Sequence, residues 1–191
     1  MFPKKILILN HSYRGEEGNA GTIAEFIKEK YQLTCEVSVL NLSETNIRGC
    51  SGCKYECFKG DNCPKSKDDM TDFYIQSMML KDYVIQIFPV YCGNLPLTYY
   101  ALNERTQQHT FEEEFAPLWN ERNLVDIVIT NTDQELIEKV LRNEEPLRDI
   151  LFASNHEYGL KSIDGQIMTS KRFEKHLESF LEKVIRVEKP S

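Results

Sequence analysis

Five short apolar runs, separated by stretches with the spacing of amphipathic helices, limit the folds open to this chain of 191 residues. Lys4 to Asn10 (KKILILN) is almost continuously apolar and ends in polar turn residues, the pattern of a parallel strand covered on both faces. Ile23, Phe26, Ile27 and Tyr31 then fall on one helical face. Cys35 to Leu40 (CEVSVL) reads as the second strand, Asp82 to Phe88 (DYVIQIF) as the third, Leu124 to Thr130 (LVDIVIT) as the fourth and Asp149 to Ala153 (DILFA) as the fifth. Asp68 and Asp69 predict a helix to about Leu80, because their carboxylates complement its N-terminal amides. Pro96 sits where a first helical turn tolerates proline, and a helix to roughly Phe115 follows. Thr132 and Glu135 predict a capping box for a helix carrying Leu136, Ile137, Val140 and Leu141. Phe173, Leu177, Phe180, Leu181 and Val184 stripe a closing helix. Strands alternating with helices predict an α/β fold, a parallel sheet with helices on both faces. No repeat, low-complexity tract or linker interrupts the pattern, so residues 1–191 read as a single domain.

The loops that follow the first and third strands carry the chemistry. Asn10 to Thr22 (NHSYRGEEGNAGT) joins a strand to a helix start, whose free amides and partial positive charge suit a phosphate. Ser12, Asn19 and Thr22 add side-chain donors, and Arg14 adds charge that Glu16 and Glu17 partly offset. No lysine lies in this loop, so it is not a P-loop, and its first glycine comes too late for the dinucleotide fingerprint. Pro89 to Asn94 (PVYCGN) follows the third strand. In a sheet of order 2-1-3-4-5, strands one and three meet at the topological switch point, where ligands bind. A tyrosine, a glycine and an asparagine there offer a planar ring one aromatic face and close backbone donors.

These two loops resemble the NADPH-dependent FMN reductase family of flavodoxin-like proteins. The family pattern is G-S-P-R, a spacer and N-T after the first strand, then S-P-V-Y-x-G-N before a helix. Here the first part is His11-Ser12-Tyr13-Arg14 with Asn19-Ala20, and the second is Phe88-Pro89-Val90-Tyr91-Cys92-Gly93-Asn94. The similarity runs from residue 4 to about 107. It implies a flavodoxin-like three-layer sandwich with a five-stranded parallel sheet of order 2-1-3-4-5. It also implies that Ser12, Arg14, Asn19, Ala20, Gly21 and Thr22 hold an FMN phosphate. Pro89, Val90, Tyr91, Cys92, Gly93 and Asn94 would lie along the isoalloxazine. Three positions depart from the pattern: His11 stands for Gly, Tyr13 for Pro and Ala20 for Thr, whose missing hydroxyl Thr22 is expected to supply. Residues 152–166 are expected to form a third wall.

Cys50, Cys53, Cys57 and Cys63 fall as C-x2-C-x3-C-x5-C, dense enough to wrap one metal or one cubane cluster. The loop resembles that of the iron–sulfur flavoproteins, with one residue more in the second spacer. A 4Fe-4S cluster, zinc, and metal-free thiols or a redox disulfide all remain open. Cys35 reads as a core residue of the second strand. His109, His156 and His176 read as surface residues, Glu112 to Glu114 as a solvated helix face, and Trp119 has no assigned role.

A net charge of -7 without a Lys/Arg-rich block argues against nucleic acid or an anionic membrane surface as partner. Met1 to Asn10 has two lysines and then only four consecutive apolar residues, Ile6 to Leu9, so a cytoplasmic location is expected. The expected function is an NAD(P)H-dependent oxidoreductase in which bound FMN accepts hydride and passes electrons to a small-molecule or protein acceptor. No catalytic side chain is expected beyond the flavin's own chemistry. Alternatives are an iron–sulfur flavoprotein electron carrier that does not react with nicotinamide, and a zinc-stabilised regulatory module. A homodimer is allowed.

Overall fold

A computed structural model of the chain describes residues 3–50, 53–59, 63, 68–69, 81–110, 123–144, 146–161 and 166–186. Five strands form one parallel sheet: β1 (Lys4–Asn10), β2 (Cys35–Asn41), β3 (Tyr83–Pro89), β4 (Asn123–Ile129) and β5 (Asp149–Ala153). Their order is β2-β1-β3-β4-β5, as expected. Four α-helices are described: α1 (Asn19–Tyr31), α2 (Leu97–Thr110), α3 (Gln134–Glu144) and α4 (Lys171–Val184). Apart from Asp68 and Asp69, the helix expected to about Leu80 lies outside the described residues, as do Glu112 to Glu114 and Trp119.

The strands form where the apolar runs lie because both faces of this sheet are covered. On one face Ile6, Ile8, Ile85, Ile87, Val125 and Ile127 pack with Ile23 and Ile27 of α1 and with Phe173, Leu177 and Leu181 of α4. The four-residue spacing of those last three puts them on one side of α4, and all three are fully buried. Ser170 caps this helix by accepting from the Phe173 amide. Cys35 is buried in the same core, as expected.

The opposite face is divided. Leu7, Leu9, Val84, Leu102 and Leu124 form one apolar cluster under α2. Phe88, Val128, Ile137 and Leu141 form another with Tyr99, under α3. Also facing this side is a polar chain of His11, Gln86, Asp126 and Arg148, all buried. Unpaired, such groups would each cost a few kcal/mol, so their mutual bonds are what makes the interruption tolerable.

One sequence expectation is corrected at α3. Its cap is Asp133, not Thr132: Asp133 Oδ1 accepts from the amides of Glu135 (2.9 Å) and Leu136 (3.4 Å). Thr132 is turned to Thr130, with which it shares a hydroxyl–hydroxyl bond of 2.8 Å. Among the described residues, no helix is long and apolar enough to cross a membrane.

Candidate functional site

The chain leaves β1 for one side of the sheet and β3 for the other, so the loops after these strands meet at the carboxyl edge. Asn10 closes β1 and shapes the first loop. Its Oδ1 accepts from the Ser12 amide (3.0 Å), and its Nδ2 donates to Gly15 O (2.8 Å) and to Asn41 Oδ1 (3.0 Å) at the end of β2. Ser12 Oγ accepts from the Arg14 amide (3.1 Å), a local turn of the kind serine favours. A short 3-10 turn, Gly15–Glu17, then lies against the start of α1. A Cβ on Gly21 would stand 2.3 Å from the Glu16 carbonyl oxygen, so only glycine admits this close approach.

The sequence-predicted phosphate residues separate into two groups. Ser12 and Arg14 come together at Gly18, the residue before α1: a Cβ there would lie 3.2 Å from Ser12 Oγ and 3.3 Å from Arg14 Cβ. The first turn of α1 carries no acidic side chain, and its N-cap residue, Gly18, has no side chain with which to cap it. A hydroxyl, a guanidinium-bearing residue and an uncapped helix start suit an anion in chemical type.

Asn19, Ala20, Gly21 and Thr22 also have contacts within the fold. Asn19 is buried, donating to Asn155 Oδ1 (3.1 Å) and accepting from the Ile167 amide (3.0 Å), so it ties α1 to the segment after β5. Ala20 and Gly21 are buried as well. Thr22 gives its hydroxyl hydrogen to Asn19 O (3.0 Å). It lines an open groove of about 700 Å³ beside Val37 and Val39 of β2. Of the expected third wall, Asn155 bonds to Asn19, and residues 162–165 lie outside the described residues.

The loop after β3 is a tight reverse turn. Tyr91 and Asn94 exchange two backbone hydrogen bonds of 2.9 Å each. Between them Cys92 (φ 50°) and Gly93 (φ 77°) are both left-handed. This is the type I′ arrangement, natural for Gly93 and strained for Cys92 by roughly 1–2 kcal/mol. Pro89 ends β3, and the Val90 amide donates to Ile129 O (2.9 Å), which fixes the base of the turn to β4. Asn94 Nδ2 donates to Cys92 O (3.0 Å), so this amide braces its own turn. Tyr91, Cys92 and Asn94 are exposed. The two loops touch through Tyr13 and Tyr91, whose rings lie 5.8 Å apart and tilted by 32°. The Tyr13 hydroxyl also accepts from the Leu97 amide at the start of α2 (3.1 Å).

His11 is the residue whose role the sequence concealed. Its side chain turns inward under α2, with its ring 4.5 Å from that of Phe88. Nδ1 lies 3.1 Å from Thr98 Oγ1 and Nε2 lies 3.3 Å from Gln86 Oε1. Burial pulls its pKa down to about 3, against a smaller upward effect of the Gln86 hydrogen bond. The available signal was a polar residue within each of two apolar strands, Gln86 and Asp126, since each must find a partner inside.

The four clustered cysteines, for which a cluster, zinc and free thiols were all open, are not gathered as a metal site among the described residues. Among the described residues, no three His, Cys, Asp or Glu side chains are placed to hold a metal ion. Cys63 is buried, Cys53 and Cys57 are partly buried, and Cys50 is exposed. Cys50 Sγ donates to Glu104 O (3.3 Å), and its amide donates to Glu104 Oε2 (2.7 Å). Burial pushes the Cys50 thiol up, Arg105 lowers it, and Glu104, Cys53 and Cys63 raise it further. The segment is held by buried Arg105 of α2, which pairs with Asp68 and donates to Arg48 O (3.3 Å). His156 and His176 are exposed, as expected, the latter bonded to the Tyr158 hydroxyl (3.0 Å).

No protein-family model matches the chain, and no curated protein matches it in sequence. Solved structures do. The flavoenzyme NAD(P)H:(acceptor) oxidoreductase FerB of Paracoccus denitrificans is 12% identical, with a TM-score of 0.55 over 95% of this chain and 97% of that one. The Trp repressor binding protein of Bacillus subtilis is 13% identical, with a TM-score of 0.57 over 95% of this chain and 99% of that one. The NAD(P)H:quinone oxidoreductase of Methanothermobacter marburgensis is 10% identical, with a TM-score of 0.57 over 99% of this chain and 100% of that one. At these identities the likeness is one of fold, and it places the chain among α/β proteins of the flavodoxin-like architecture.

Proposed function

We propose that this chain is a single-domain FMN-binding oxidoreductase that takes electrons from NAD(P)H and passes them to a small-molecule or protein acceptor. The observation that carries the reading is the meeting, at the switch point of the sheet, of the Ser12–Gly18 loop with the exposed Tyr91–Asn94 turn. Neighbours in fold that are NAD(P)H oxidoreductases lend it support. Ser12, Arg14 and the start of α1 would hold the phosphate, through a hydroxyl, a guanidinium and helix amides. Tyr91, Cys92, Gly93 and Asn94 would flank the ring. When bound, the flavin supplies the hydride and electron chemistry, and the protein supplies position and charge. Six free cysteines suit a reducing cytoplasm.

The test is a fluorescence titration with FMN and with riboflavin, followed by anaerobic mixing with NADH or NADPH. Saturable FMN binding near one per chain is expected, with riboflavin much weaker because it lacks the phosphate. Ser12→Ala should narrow that difference by roughly 1.5–3 kcal/mol, the worth of a charge-assisted hydrogen bond. Equal affinity for the two flavins would displace the phosphate site, and absence of FMN binding would end the proposal. Bleaching of the flavin band by nicotinamide is expected.

A further inference from the structure

The buried polar chain has only one consistent placement of its hydrogens, and that placement reaches the surface. Arg148 Nη1 donates to Asp126 Oδ2 at 2.6 Å. Asp126, ion-paired in this way, is an acceptor only, so Gln86 must turn its NH2 toward Asp126 Oδ1 (3.2 Å) and its carbonyl toward His11. A carbonyl accepts, so His11 carries its proton on Nε2 and leaves Nδ1 bare. The Thr98 hydroxyl, 3.1 Å away, must then donate to Nδ1. A hydroxyl has one hydrogen, and this one is committed inward. Toward any other group Thr98 Oγ1 can only accept.

Thr98 lines a groove of about 360 Å³ between the start of α2 and the segment after β2, a volume suited to one small ligand. Its walls include Tyr13, Leu97 and Tyr100, which are 53%, 71% and 38% exposed. Three large apolar side chains left in water around one cavity mark a binding surface rather than ordinary scatter. Of the residues lining the groove, Tyr13 alone belongs to the two loops assigned above to the flavin.

We propose that this groove binds a small aromatic molecule bearing an O–H or N–H group, which donates to Thr98 Oγ1 while the ring lies against the tyrosines. Thr98 is the selecting residue. Gln86, Asp126 and Arg148 act through His11 to fix the direction of its hydroxyl. The inference does not depend on the flavin proposal, because neither measurement below uses flavin or nicotinamide turnover.

The experiment titrates isotope-labelled protein, as purified, with the matched pairs phenol and anisole, and indole and N-methylindole, following amide shifts. Phenol and indole should bind at least tenfold more tightly than their methylated partners, with shifts confined to residues around 97–101 and 45–49. Thr98→Val should bring each pair to equal affinity, whereas Thr98→Ser should keep the preference. Nitrogen spectra of the unmodified protein should show the His11 proton on Nε2 at neutral pH. Equal binding within the pairs, binding elsewhere, binding of none of the four, or a His11 proton on Nδ1 would each overturn the proposal.

Discussion

His11 makes the folded chain sensitive to mild acid. In the unfolded chain its imidazole takes up a proton near pH 6.5, whereas in the folded chain burial delays this to about pH 3. Between those values the unfolded state binds the extra proton, so stability is intact above pH 6.5 and falls as the pH drops. The groups facing the ring, Gln86, Thr98, Phe88 and Tyr99, include no carboxylate that would welcome a positive charge. The expected loss is roughly 2 kcal/mol between pH 6.5 and pH 5, at about 1.4 kcal/mol per unit. Urea denaturation at several pH values measures it. His11→Gln should remove most of that slope while lowering stability at neutral pH, and an unchanged slope would show that His11 is not the titrating group.

Among the elements, α3 offers a direct comparison between a sequence expectation and the cap that forms. Asp133→Ala should cost about 1 kcal/mol, the usual worth of an N-cap, and Thr132→Ala distinctly less, both read by thermal or urea melts. The sequence could not separate these neighbours, because either residue type caps helices. What decides is Thr130, whose hydroxyl engages Thr132. The strands, by contrast, were legible almost to the residue, because burial on both faces writes β-branched runs directly into the chain. The positions of the two loops followed from the strand ends. The packing partners of their side chains did not: nothing near Asn19 in the sequence announces Asn155 and Ile167, which arrive beside it from far along the chain. The dense cysteine spacing likewise said nothing of Glu104, which receives the Cys50 thiol hydrogen.

For the molecule as a whole, the polar chain is a cost that holds only while it is complete. Arg148→Met leaves the buried Asp126 carboxylate without its 2.6 Å partner and should cost roughly 3–5 kcal/mol in urea denaturation. Combining it with Asp126→Leu should recover a large part of that loss, since two well-packed apolar groups carry no buried charge. A double variant no more stable than the single one would show that other bonds dominate. The chain also bears on how the strands find one another. β1, β3 and β4 are apolar on both faces, so a strand slid along its neighbour would meet much the same isoleucines, valines and leucines. Gln86 stands directly opposite Asp126 in the β3–β4 ladder. A slip of one residue would turn Gln86 among the isoleucines that face α1, and a slip of two would strip it of Asp126. In a repetitive alphabet of interchangeable apolar letters, these two residues are the pair that marks where the lines of text align.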